Sequence, residues 1–468
     1  MSTLQFDPNQ LGYNADVVVI GAGISGLVAT WRLLREGVDA VLLEARDRVG
    51  GRANSGTFNG ESYDLGARWI SPHAKQFRQL AHELGIQLTP QYTQGESAIR
   101  LNGRSVRFRN RAPWFAPNVQ LDYRRIIAKL NRLSRQLQLQ TVKSALAIKN
   151  YDQFSFGAWL QQQSSTPATQ NLFRLLTHVH FMAEPSEISF VYVLDQIQAY
   201  QRAEVIFSLR PAHEQDRIPG GMQRITERLA QQLRPQLNVD TPVLAMRQDE
   251  ESVSAYSRGA SFRARYAIIA APPAVAAQIY YEPALPSNRD ALNQRVVMGR
   301  AIQAVLCYDY PFWRENQKSG FLMSDDGPAS LIHDVSPTTS SEGALACVII
   351  GDNASHWSAQ PRSERLRALV TQLTGWFGNE ALAYRGMIER DWNNERWSRG
   401  TVGFMPPGSA GFVHGIGTPV GRIHWASSET ATQWSGSIEG AIEAGERTAA
   451  EVIGQLSSAG LLRRNTES

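Results

Sequence analysis

The sequence predicts an α/β fold: a doubly wound, mostly parallel sheet interrupted by a second, mixed α/β domain. Three observations carry that prediction. A β-branched run leads straight into a glycine-rich turn and a helix near the N-terminus, a glycine-punctuated helical segment lies near the C-terminus, and between them a helical block rich in Gln, Leu and Arg is followed by apolar strand-like runs. At 468 residues the chain exceeds the about 100–200 residues of one ordinary core, so two or more interlocked domains are expected.

The first element is Asp16-Val17-Val18-Val19-Ile20, a run suited to a buried parallel strand, followed directly by Gly21-Ala22-Gly23-Ile24-Ser25-Gly26. Leu27 to Glu36 has helical periodicity and stops at Gly37; Ala40 to Leu43 then supplies a second strand ending at Glu44. This βαβ unit places G-x-G-x-x-G in the context that a dinucleotide site requires. Gly21 permits the tight turn, Gly23 admits a pyrophosphate to the backbone, and Gly26 lets helix and strand pack closely. The helix N-terminus faces the anion. Glu44 lies eighteen residues past Gly26, near the ~20 expected of an acid that binds a ribose hydroxyl. NAD and FAD both remain open on this unit alone.

The next residues, Glu44-Ala45-Arg46-Asp47-Arg48-Val49-Gly50-Gly51-Arg52, resemble the second FAD-contact motif of the superfamily of amine oxidases, phytoene desaturases and protoporphyrinogen oxidases. The resemblance continues through Asp64-Leu65-Gly66-Ala67-Arg68-Trp69, Pro219 to Gln223, Tyr310 to Trp313 and Met405 to Gly408. It culminates in Trp425 to Arg447, which is similar to the family's closing motif over its whole length and is monoamine oxidase-like in particular.

The resemblance implies FAD, held by Gly21, Ala22, Gly23, Ser25, Gly26, Glu44, Ala45, Arg46, Gly50, Gly51 and Arg52. Further contacts are implied from Gly66, Ala67, Arg68, Trp69, the backbone of Val243, Glu429, Gly436 and Ile438. A helix opening near Ile438 would aim its N-terminus at the flavin pyrimidine ring and stabilise negative charge there. Close helix packing is the other reading of Gly436, Gly440 and Gly445, and for the last two both readings hold together.

Helical stretches are expected from about Asp122 to Asn150, over Phe156 to Gln163 and over Asn171 to His180; a turn at Ile218 to Gln223 leads into a helix over Ile225 to Gln232. Val239 to Val243 reads as a strand, and Phe262 to Tyr266 with Ala267 to Ala271 as paired strands before Pro272-Pro273. Val296 to Phe312 and Ala344 to Ile350 suggest a second sheet. The boundaries that follow are 1–90, 215–295 and 390–468 for a Rossmann-like, FAD-binding domain and 91–214 with 296–389 for a discontinuous substrate domain. A ligand cleft is expected between them.

By resemblance, the chemistry is transfer of a hydride equivalent from the carbon beside a neutral amine to flavin N5, giving an imine, with oxygen returning the flavin to its oxidised form and releasing hydrogen peroxide. The flavin carries the chemistry and the protein orients and tunes it. Three departures from the family pattern stand out. Gln303 occupies the place of the usual lysine, water-bridged to N5. At an effective dielectric of about 20 and ~4 Å, losing that cation removes up to about 4 kcal/mol, so slow oxygen reactivity is expected. Thr401 and Ser437 replace the two tyrosines that flank the amine. Gly400 stands where some members carry the cysteine that links flavin, so FAD is expected to be non-covalent.

Gln303, His180 and Trp392 are the candidate catalytic residues, with Arg68, His180, Thr401 and Ser437 as candidate substrate contacts. His180 reads equally as a packed histidine. Arg68 reads either as a flavin or pyrophosphate contact or as the partner of a substrate carboxylate, which would favour an amino acid. Trp392 and Trp397 read as walls near the isoalloxazine. An FAD dehydrogenase or desaturase acting on carbon–carbon bonds, and a non-catalytic flavin-binding partner protein, are the alternative readings.

Composition sets limits on the remaining classes. With 43% hydrophobic and 19% charged residues and a net charge of +4, the chain is globular, and the basic stretches Arg104 to Arg111 and Arg124 to Arg135 lack the aromatic interleaving of a nucleic-acid site. No spaced His/Cys/carboxylate cluster calls for a metal. Cys307 and Cys347 read as buried free thiols of a reducing compartment. Met1 to Ala15 lacks signal-peptide character, no window reaches the ~18 apolar residues of a span, and Ser457 to Ser468 reads as a frayed tail. A cytoplasmic protein with a small-molecule amine or amino-acid substrate, oxygen or another electron acceptor, no nucleic-acid or membrane partner and a possible homodimer is the expectation.

Overall fold

The structure, a computed structural model, describes residues 13–109, 111–137, 148–210, 212, 215–413 and 415–462. The chain divides into two compact units: one takes the stretch up to Gly51, Ile225–Gln294 and the stretch from Gly415, and the other takes Arg52–Arg224 and Arg295–His414. Residues 52–90, 215–224 and 390–414, which the sequence reading grouped with the cofactor domain, thus fall in the second unit.

The first unit is built on an eight-stranded sheet. Strand Tyr13–Ile20 lies at its heart, parallel to Ala40–Leu43 on one side and to Ala260–Ile269 on the other. Val17, Val18 and Val19 are fully buried, as a parallel strand covered on both faces demands. The paired strands read at Phe262 to Tyr266 and Ala267 to Ala271 are a single ten-residue strand, Ala260–Ile269. Its first half pairs antiparallel with Val253–Ser257 and its last three residues pair parallel with Ile423–Trp425. One strand changes neighbours along its length, which local alternation does not reveal.

Val239 to Val243 is not a strand. The strands there are Leu237–Asn238 and Ala245–Gln248, and the connection turns at Asp240 with φ +50°. Its backbone is claimed by the nucleotide loop instead: Asp240 N donates to Arg46 O at 2.9 Å and Thr241 N to Glu44 O at 2.8 Å.

The second unit holds a seven-stranded sheet in the order Gly386–Asp391, Ala301–Tyr308, Gly343–Ile350, Leu331–Asp334, Lys318–Ser324, Glu96–Leu101, Arg104–Phe108. Ala301–Tyr308 and Gly343–Ile350, second and third in that order, are buried at every position. Period-2 alternation sends Ile302, Ala304 and Leu306 into one core and Val305 and Cys307 into another, with Tyr63 and Leu65. Gln303 therefore shares the face of Val305 and Cys307. Helices Pro117–Leu137, Phe156–Gln163, Pro167–Phe181 and Phe190–Ala199 accompany this sheet. Ser155, Thr166 and Ser189 cap the last three, each accepting from a backbone N–H three residues on. The helix expected to Asn150 is observed to Leu137; 138–147 lie outside the described residues. No helix among the described residues is long and apolar enough to cross a membrane.

Candidate active site

In the first unit the glycine loop adopts the form that its spacing required. Gly21 takes φ +103° and its N–H donates to Leu43 O at 2.7 Å. A Cβ on Gly26 would sit 1.9 Å from Gly21 O, so helix and loop touch there through bare backbone. At Gly23, the N-cap of helix Ile24–Arg35, a Cβ would meet nothing within 4 Å and no side chain caps the helix. The helix end is left open for an anion. Gly50 N donates to Ala22 O at 2.8 Å, which lays the Gly50–Gly51 turn beside this loop.

Glu44, only 3% exposed, accepts from Ala22 N at 2.7 Å and from Arg46 N at 2.9 Å. It shapes the loop as well as presenting a carboxylate there. Ala45 and Arg46 follow it, and Val243 is buried on the connection that returns to Glu44 and Arg46.

The closing motif folds beside this loop. Helix Ile438–Ser458 begins at Ser437, whose Oγ accepts from Gly440 N at 3.1 Å and donates to Trp434 O at 2.6 Å. Ser437, read as a substrate contact, thus serves as a helix cap. Gly436 takes φ +76°. Gly445 allows the helix to approach Ser25 O, 2.5 Å from where a Cβ would stand, whereas Gly440 makes room for Trp434 O. Glu429 is buried and accepts from Ser428 Oγ at 3.1 Å.

The second unit assembles the side chains read as catalytic. Trp392 Nε1 donates to Leu65 O at 2.7 Å, and a Cβ on Gly66 would meet Arg52 O at 2.1 Å and Trp392 at 2.9 Å. Ala67 N donates to Arg52 O at 3.1 Å. Gln303 faces the same turn. With its carboxamide nitrogen on Leu65 O (3.2 Å) and Gly66 O (3.3 Å), its oxygen accepts from Arg68 Nε at 3.2 Å and also from Arg68 Nη2. One amide thus joins the glycine turn to a guanidinium.

Arg68, 7% exposed, also donates to Asp64 O at 2.7 Å and to His333 Nε2. Burial lowers its pKa to about 10, the Asp64 carboxylate partly offsetting the shift. His333 is held well below its usual value by burial and then by Arg68 and Arg217, so it is a neutral acceptor. Trp69 packs on His333 at 4.9 Å between ring centres and donates to Gln91 Oε1 at 3.4 Å.

His180 stands apart from this cluster in its contacts, edge-on to Phe181 and Tyr200 at 4.6 and 4.7 Å. Desolvation lowers its pKa to about 4, leaving a neutral imidazole at neutral pH. Thr401 Oγ1 donates to Gly299 O at 2.9 Å and Thr401 O accepts from Arg52 Nη1 at 2.6 Å, so this residue, too, holds backbone. Sequence reasoning missed His333, Gln91 and Arg217, which no motif marks; Arg217 lies two residues before Pro219 of a segment that was noticed.

Within the first unit, a glycine loop with open space at Gly23, an uncapped helix N-terminus and a buried acid fit a dinucleotide-type cofactor. Comparison with known proteins agrees. The family model for flavin-containing amine oxidoreductases matches residues 24–453. A probable flavin-containing monoamine oxidase A of Dictyostelium discoideum is 32% identical, covering 94% of this chain and 98% of its own. An L-amino acid dehydrogenase of Synechocystis sp. is 30% identical over 95% of this chain and 96% of its own. Cyclohexylamine oxidase from Brevibacterium oxydans IH-35A superposes with a TM-score of 0.88 at 28% identity, covering 95% of this chain and 99% of that structure. The chain belongs to the flavin-containing amine oxidoreductase family. It is a flavin-dependent enzyme of amine oxidation.

Proposed function

We propose that the chain oxidises a primary or secondary amine, or an L-amino acid, to the imine. Non-covalent FAD would supply the hydride acceptor at N5, and oxygen would restore it with release of hydrogen peroxide. What supports this reading is the match of residues 24–453 to the flavin-containing amine oxidoreductase family, together with the uncapped helix end at Gly23 and the set around Gly66, where Leu65 and Gly66 carbonyls hold Trp392 and Gln303.

The residues have separable tasks. The open helix end at Gly23 and the Gly50–Gly51 turn bind the pyrophosphate, and Glu44 binds the ribose. The N-terminus of helix Ile438–Ser458 favours negative charge near its first turn. A neutral His180 does not repel an approaching amine. Cys307 and Cys347 are buried free thiols, and Gly400 stands where a flavin-linking cysteine would, which supports a flavin without a thioether.

A second reading keeps the amine donor and replaces oxygen with another acceptor. It rests on Gln303, an uncharged amide where the family usually has a cation, and is in line with the L-amino acid dehydrogenase among the relatives. Peroxide release measured across primary amines, polyamines and L-amino acids separates the two. Peroxide in step with donor consumption supports the oxidase; donor oxidation without peroxide but with a quinone-type dye reduced supports the dehydrogenase. No oxidation of any donor by the flavin-loaded protein would sink both.

A further inference from the structure

A groove of about 550 Å³ opens in the second unit between the segment Pro90 to Gln94, Arg217, Arg314 and the segment Pro337 to Ser340. A smaller cavity shares Gln91, Arg217, Pro337 and Thr338 with it and is lined also by Arg68, Asp64 and Glu61. The two spaces meet at Arg217. The only charged residues lining the larger groove are the two arginines.

These arginines differ in how they are satisfied. Arg314 Nε and Nη2 grip Asp334 at 2.7 and 2.9 Å, and its guanidinium lies 3.9 Å over the Tyr92 ring. Asp334, with a fully buried side chain, also accepts from Trp313 Nε1 at 2.7 Å and from Ser336 N at 2.8 Å. Each of its oxygens therefore takes two donors, and one negative charge is spent on Arg314. Arg217 has one carbonyl partner, Ser336 O at 2.5 Å. Its Nε is buried without a partner, and no carboxylate comes within 4 Å of it among the described residues. Arg217 feels Asp334 and Asp64 from beyond ion-pair distance, but its Nε has no hydrogen-bond partner and its one acceptor is a carbonyl, so at the seam of the two cavities it keeps donors to offer an anion.

We infer that Arg217 receives the carboxylate of the substrate or of a competing acid, which narrows the donor to an amine that bears a carboxylate. The inference rests on the amine-oxidising reading for the word substrate, while the acid site itself stands on the groove. The unpaired Nε of Arg217 suits the planar oxygen pair of a carboxylate. Pro90, Tyr92 and Pro337 offer apolar walls for a carbon chain, and Gln91 and Thr338 offer neutral hydrogen-bond groups beside the charge.

The test is calorimetric titration of the flavin-loaded protein with 3-phenylpropionate, with its uncharged analogue 3-phenylpropionamide and with inorganic phosphate. The acid should bind at least tenfold more tightly than the amide, a difference of about 1.4 kcal/mol, and Arg217→Gln should remove that preference while leaving the amide's binding within twofold. Arg217→Lys, which keeps the charge, should retain part of the preference and guards against a variant that fails to fold. Equal binding of acid and amide, no saturable binding of the acid at millimolar concentration, or an Arg217→Gln protein that binds the acid unchanged would overturn the assignment, as would phosphate binding tighter than the carboxylate. If the acid binds as expected but no amine or amino acid reduces the flavin, the reaction fails and the site survives.

Discussion

The glycine loop of the first unit and the Gly66 cluster of the second are built in different ways. Gly21 to Gly26 is shaped by backbone, so the residue types are forced: φ +103° at Gly21 and a Cβ position 1.9 Å from a carbonyl at Gly26 leave no alternative to glycine. The Gly66 cluster is shaped by side chains brought from distant strands, Gln303, Trp392 and His333, whose identities can change if their partners change. A loop shaped by backbone is written as a local motif; a cluster shaped by side chains is written as a three-dimensional coincidence.

The largest effect should come from breaking the backbone half. Gly26→Ala drives a methyl into Gly21 O, and the purified protein should carry almost no flavin, read as absorbance near 450 nm against 280 nm. A variant that keeps full flavin content would show that the loop can yield and that the glycine is not forced.

In the second unit, Glu184 is a buried carboxylate held by two partners. Burial raises its pKa, yet hydrogen bonds from His178 and Arg174 outweigh burial and hold the carboxyl well below the usual range. Its Oε1 lies 3.0 Å from His178 Nε2 and its Oε2 accepts from Arg174 Nε at 2.7 Å. Glu184→Gln should cost about 3 kcal/mol at pH 7 in denaturant unfolding. Because the folded pKa is depressed, the contribution is complete above the unfolded value of about 4.3 and is lost as pH falls below it. The gap between wild type and variant should therefore narrow below about pH 4. A gap independent of pH would contradict the charged pairing.

Gln303→Leu comes next. It leaves Arg68 without its amide acceptor and should cost about 2 kcal/mol, with flavin content retained, since the nucleotide loop is untouched. The structure also changes what a lysine at 303 would do. Arg68 already stands within hydrogen-bond reach of that position, so an added ammonium would meet like charge. Trp392→Phe, which keeps the wall but loses the hydrogen bond to Leu65 O, should cost about 1 kcal/mol; a loss several times larger would mean that the indole packs against more than the glycine turn.

These two halves also explain what the sequence made legible. The βαβ unit, the glycine turns, the closing helix and the two buried cysteines stand where their patterns put them, because each is fixed by neighbours in sequence. Val239 to Val243 was misread as a strand because its β-branched residues serve a connection whose N–H groups bind Glu44 and Arg46 carbonyls. Ser437 and Thr401, substrate contacts by resemblance to the family, also have local roles: their hydroxyls cap a helix and hold Gly299. Arg217, Arg314 and Asp334 carried no local signal at all, since a guanidinium's unpaired donor is a property of what surrounds it.

The central claim is that a donor amine passes reducing equivalents to a flavin held by this chain. It is tested most directly by mixing the flavin-loaded protein anaerobically with primary amines, polyamines and L-amino acids while following absorbance near 450 nm, and then admitting air. The account predicts bleaching by at least one donor class, reversed on aeration or by an added acceptor. Full flavin absorbance with every donor, in protein whose flavin dithionite readily reduces, would contradict it.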